Sequence, residues 1–161
     1  MNSTLNTAIA VAILSAGISF IIQYFFKRYD SEAHARTIKR AIISEITATL
    51  KLIEKRKYHE SLQECIRELE AGESLQVLIS IEQQQNLFPV YKSNIDKIGM
   101  LKADLASNIV MFYALLESVL VDTNSKGLLN NPEYSTLEAF KETFIIFNEA
   151  ISLGNEITKS K

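Results

Sequence analysis

Arg28 and His34, with five residues between them, are a pair suited to phosphodiester chemistry. An imidazole gives or takes a proton near neutral pH, and a guanidinium stabilises charge developing on phosphate. No other residues fall into a familiar catalytic spacing. The chain has no glycine-rich phosphate loop, no HExxH helix and no nucleophile elbow. One cysteine, Cys65, excludes an intrachain disulfide and a multi-cysteine zinc site, and two histidines leave little for any transition metal. Cys65 stands beside Ile66 on an apolar face and reads as a small hydrophobe. Glu64, Glu68 and Asp104 lack the spacing of a carboxylate pair, while Glu45, Lys51 and the run Glu54–Lys57 read as solvated helix faces. No cofactor, no metal and no enzymatic activity are therefore expected.

The element that positions Arg28 gives it another role. No charged side chain precedes Lys27, and Ala8–Phe26 is nineteen residues with only Ser15, Ser19 and Gln23 as polar breaks. As a helix it is roughly 28 Å long, about the thickness of a bilayer core. It is too long for a signal-peptide core and has no positive n-region. Tyr24, Phe25 and Phe26 followed by Lys27 and Arg28 form an aromatic and basic membrane border. The positive-inside rule then puts the N terminus outside and residues 27–161 in the cytoplasm, in a single pass through the inner membrane. Within the span, Ala8, Ala12, Ser15, Ala16, Ser19 and Gln23 share an arc of about 100°. Small side chains let helices approach closely in lipid, so this stripe predicts homo-oligomers.

Beyond the border the sequence reads as helices. Ile38, Ile42, Ile46, Leu50 and Ile53, then Tyr58, Leu62, Ile66 and Leu69, mark an amphipathic helix with a break near Arg56 and Lys57, stopped at Ala71-Gly72. It follows the span without an intervening Gly or Pro. Residues 74–86 suit a helix better than an isolated strand. Pro89 starts a short helix that Gly99 ends. Leu105, Ile109, Phe112, Leu116 and Val119 define a helix over 102–122, whose apolar run is cut by Glu117 and belongs to a core. Residues 123–134 form a loop, Ser135 to Glu138 fit a capping box, and Leu137, Phe140, Phe144, Phe147 and Ile151 mark the last core stripe. The fold class is all-α: a transmembrane anchor over 1–28, then a cytoplasmic antiparallel helical bundle over 29–161.

Composition agrees. With 161 residues there is room for one ordinary domain, and a net charge of −2 argues against a dedicated nucleic-acid binder. Few glycines and prolines against 47% hydrophobic residues exclude collagen-like and disordered chains.

The stretch Phe88–Leu120 resembles small bacterial membrane-anchored proteins that carry Pro-Val-Tyr/Phe, an Asn, Ile/Leu-Gly-x-Leu and then Val-x-Phe-Tyr. The matching residues are Pro89, Val90, Tyr91, Asn94, Ile98, Gly99, Leu101, Leu105, Ile109, Val110, Phe112 and Tyr113. Lys102 departs from the proline frequent there. The resemblance implies one span, a long helix and this hairpin, and brings no activity. Asn94 is suited to bond the turn backbone. The Arg28–His34 spacing resembles the arginine–histidine motif of HEPN-type helical ribonucleases, on two residues only.

The leading expectation is a non-enzymatic, membrane-anchored interaction module that self-associates and meets a cytoplasmic protein partner. The alternatives are an oligomeric membrane-perturbing or pore-forming effector of anti-phage defence and a membrane-tethered HEPN-like ribonuclease. The expected partners are the lipid bilayer, further copies of the chain and a protein, with no nucleic acid.

Overall fold

The computed structural model describes residues 2–72 and 87–159, with side chains from Phe20 onward. The described residues are helical and include no strand. The elements are α1 (Asn2–Arg56), α2 (Tyr58–Glu70), α3 (Pro89–Asn94) with a 3-10 extension Ile95–Met100, α4 (Ala103–Asp122), a 3-10 turn Leu128–Asn130 and α5 (Leu137–Lys159). The chain divides into two units, Met1–Ile38 and Lys39–Lys161. The side chains of Ala8, Ala12, Ser15, Ala16 and Ser19, and the helix expected over 74–86, lie outside the described residues.

Several boundaries follow their local signals. α1 continues to Arg56, and Lys57 then takes a left-handed conformation at φ 55° before α2 begins. α2 stops before Gly72, whose φ of 74° is a conformation that glycine adopts without a Cβ clash. The start of α5 differs from expectation. The Ala139 amide donates to Thr136 Oγ1 at 3.2 Å, while Ser135 Oγ donates to the Leu129 carbonyl. Thr136 is therefore the cap, and the position three residues on is alanine, so no capping box forms.

The contacts in the Lys39–Lys161 unit define antiparallel packing. His59 meets Asn148 and Glu70 meets Lys141, so α2 and α5 run in opposite senses. The pair Asp122–Thr143 and the approach of Phe112 to Gly154 do the same for α4 and α5. Ile42, Ile46 and Ile53 of α1, Leu62, Cys65 and Ile66 of α2, and Ile109, Phe112, Leu116 and Val119 of α4 are buried, as their spacing predicts. Among the described residues α4 is long and apolar enough to cross a membrane by length and composition, but its Ile109-to-Val119 face is packed in this core.

The α5 stripe needs correction. The buried face is Phe140, Thr143, Phe147, Ala150, Gly154 and Ile157, a heptad seam, whereas Phe144 and Ile151 are only half-buried at its edge. The large side chains misled the pattern because the close approach of α4 selects small ones. A Cβ on Gly154 would sit 2.6 Å from Phe112 Cε2 and 3.2 Å from Leu50 Cδ2. Phe112 is fully buried, so its ring has no room to retreat. Gly154→Ala is therefore expected to destabilise the chain by about 1–3 kcal/mol despite alanine's better helix propensity. Urea unfolding of the detergent-solubilised chain measures it, and an unchanged or raised midpoint contradicts the close packing.

Candidate functional site

The hairpin that carries the motif is built around a residue outside it. Glu45 projects from α1 beside Ile42 and Ile46. Its Oε1 accepts the Val90 amide at 2.8 Å, and its Oε2 accepts the Tyr91 amide at 2.9 Å and the Tyr113 hydroxyl at 2.8 Å. This completes the accounting for the start of α3. Pro89 has no N–H, Glu45 takes the next two, and the Lys92 amide donates to the Phe88 carbonyl at 3.0 Å. A carboxylate also suits a helix N-terminus electrostatically. Glu45 is thus half-buried and fully engaged, not part of a solvated face.

The aromatic residues close over this carboxylate. Tyr91 stacks on Tyr113 with ring centroids 3.9 Å apart, and Phe88 and Phe112 meet the Tyr113 ring edge-on at 5.0 and 5.1 Å. Phe88 is buried with a left-handed backbone at φ 59°, immediately before a proline. That conformation is doubly disfavoured, by its Cβ and by the following ring, at a cost on the order of 1–3 kcal/mol. Burial of the Phe88 ring and the grip of Glu45 on the next two amides hold it. Burial, and then the bond to Glu45, push the Tyr113 phenol well above the ordinary tyrosine range. Burial and then the charge of Glu117 raise Tyr91.

The other motif residues play local parts. Asn94 Nδ2 donates to the Val90 carbonyl at 2.8 Å, the predicted use of that side chain. Ile98 is buried, and Leu101 is half-buried with an extended backbone. Gly99 is not the stop that its type suggested. The chain passes through it as a 3-10 helix, a Cβ there would meet nothing, and the reversal falls at Leu101. Lys92 and Glu117 approach to 3.6 Å across the hairpin, both about half exposed. The motif thus gathers Pro89, Val90, Tyr91, Phe112 and Tyr113 on Glu45 and leaves Gly99 and Leu101 away from that point.

Arg28 and His34 are exposed on α1, each occupied one turn away. Arg28 Nε lies 3.6 Å from Glu32 Oε1, and His34 Nδ1 donates to the Asp30 carbonyl at 3.1 Å. Six residues of helix set them roughly 120° apart around the axis. Lys27 and Gln23 are exposed on the same helix.

The sequence also gave no notice of His59. Its Nε2 lies 2.7 Å from Asn148 Oδ1 and its ring leans on Phe144 at 4.8 Å, beside a groove of about 540 Å³ bordered by Lys51, Glu54, Glu60 and Asn155. Among the described residues no three His, Cys, Asp or Glu side chains group as metal ligands. The chain matches no protein-family model, no curated protein and no solved structure.

Tyr113→Phe should lower stability at neutral pH by about 1–3 kcal/mol, the usual worth of a hydrogen bond to a charged group. The raised phenols add a pH signature. Above pH ~10 the unfolded tyrosines lose protons that folded Tyr113 and Tyr91 retain, so wild-type stability falls as pH rises past that point. Tyr113→Phe should show a shallower fall. Unfolding curves on either side of pH 10 measure both, and identical slopes contradict the assignment.

Proposed function

We propose that this chain is a non-enzymatic, membrane-anchored helical module of the bacterial inner membrane. It associates with further copies of itself and presents its bundle to a protein partner in the cytoplasm. The observation that carries the reading is the exposed apolar run on α1: Phe20, Ile21, Ile22, Tyr24, Phe25, Phe26 and Tyr29 are each 48–76% exposed. In water such a contiguous surface is unfavourable by about 25 cal/mol for each Å² left wet, and lipid removes that penalty. The charge-free residues before Lys27 extend the same surface toward the N terminus. Lys27 and Arg28 then serve as border cations on the cytoplasmic side. Arg28 has Glu32 for a partner and no histidine facing it, which favours this role over nuclease chemistry.

Self-association is assigned in part to the stripe Ala8, Ala12, Ser15, Ala16, Ser19 and Gln23. An amide such as Gln23 gains about 0.6–2 kcal/mol from a bond across helices in lipid.

Fractionation of bacterial cells expressing the full chain tests the anchor. Wild type should pellet with membranes, resist alkaline carbonate, and keep a reporter fused after Lys161 active in the cytoplasm. Ile13→Lys with Ile18→Lys costs about 2.5–3.5 kcal/mol per lysine at the centre of a span and should move the chain to the soluble fraction. Wild type released by carbonate, or a reporter active only in the periplasm, overturns the reading.

A further inference from the structure

α4 has two seams. The inner one packs in the bundle. The outer one, Ser107, Met111, Ala114, Ser118 and Val121, has steps of four, three, four and three, the heptad spacing by which one helix meets another. All five residues are exposed, as are Ala103 and Val110 beside them. No charged residue occurs between Asp104 and Glu117. The outward surface of α5 is built differently, with Lys141, Glu142, Glu149 and Glu156. A solvated helix face in a chain with this many charged residues normally carries some of them, so the outer seam has the composition of an unfilled interface.

We infer that the outer seam of α4 is a homodimer interface, on which α4 of a second copy lies antiparallel about a two-fold axis between Met111 and Ala114. This rests on the self-association proposed above and places one contact in the cytoplasmic part. The warrant is steric. In that register Met111 faces Ala114 of the second copy, Val121 faces Ala103, and Ser107 faces Ser118. Each large side chain opposes a small one, and the two-fold repeats every contact. The parallel alternative stacks Met111 on Met111 and leaves Ser107, Ala114 and Ser118 facing their own kind. Antiparallel helix dipoles also favour the first arrangement. A basic amphipathic contact with anionic lipid is disfavoured, because the borders of the seam are Asp104, Glu117 and Asp122.

The size of the contact matches its setting. One helix seam buries on the order of 800 Å² in total, below the ~1,200 Å² of a self-standing interface. Tethering both copies to one membrane raises their effective concentration and makes such a contact sufficient. The register also sets Asp104 near Asp122 of the second copy. That repulsion is screened by salt, so association through this seam strengthens as salt rises.

The experiment uses full-length chains in their membranes, with Cys65 replaced by alanine. Differently tagged Ser107→Cys and Ser118→Cys chains are co-expressed and treated with a short bis-maleimide. The result expected is a 107–118 product in several-fold excess over 107–107, rising with salt and reduced at least tenfold by Ala114→Glu. Glu149→Cys on the outer face of α5 should give no product. Absence of the 107–118 product, a yield no higher than at Glu149, or a yield that falls with salt overturns the interface. A photoactivatable phospholipid that labels Ser107→Cys and Ser118→Cys chains in place of the cross-link assigns the face to lipid and also overturns it. Light scattering in mild detergent separates this inference from the reading beneath it. An oligomer lacking the cross-link overturns the α4 seam alone, and a monomer overturns self-association as well.

Discussion

The Glu45 carboxylate is the constraint on which the hairpin depends. A charge taken out of water is costly unless every lone pair that leaves solvent finds a donor. Here two donors are helix amides that have no partner within α3, and the third is a buried phenol. Each group would be unsatisfied without the others, so α1, α3 and α4 are fixed at one point by mutual need. The left-handed Phe88 and the stacked tyrosines are consequences. They lie where the backbone must deliver two adjacent amides to one carboxylate, and the ring packing offsets the strain of getting there.

Much of the architecture was legible because it rests on periodicity. The isoleucines of α1, the alternating steps of α4 and the break at Lys57 each follow from spacing or from a local stop signal. The features that escaped depend on partners distant in sequence. Glu45 reads as solvated when only Lys51 is considered, yet its position three residues after Ile42 and one before Ile46 puts it at the edge of the apolar face. A carboxylate there needs donors, and the amides after Pro89 are the donors that no neighbouring residue reveals. The α5 seam was misread for a related reason. Size suggested Phe144 and Ile151, but the approach of Phe112 demands Thr143, Ala150 and Gly154. Gly127 obeys the same logic in the loop, where a Cβ would meet the Val121 carbonyl oxygen at 2.1 Å.

These constraints suit a platform more than a catalyst. The polar groups of the hub are spent on one another, and Arg28 and His34 point to different sides of α1. The surfaces left for recognition are apolar or uncharged: the aromatic run of α1 and the outer seam of α4. Both read as places where something else completes a helix. On this account the proposed anchor concentrates the chain in two dimensions, and the hub keeps α4 straight and oriented so that a modest contact between copies has a defined geometry.

Amide hydrogen exchange at Val90 and Tyr91 tests the central claim most directly, because no other acceptor explains protection at the first turn of α3. In the full-length chain both amides should exchange as slowly as those of the α4 core. Glu45→Gln should speed exchange at these two sites while leaving Ile109 to Leu116 protected. If both amides exchange at the rate of open chain in the wild type, the carboxylate does not hold the hairpin and the account fails at its base.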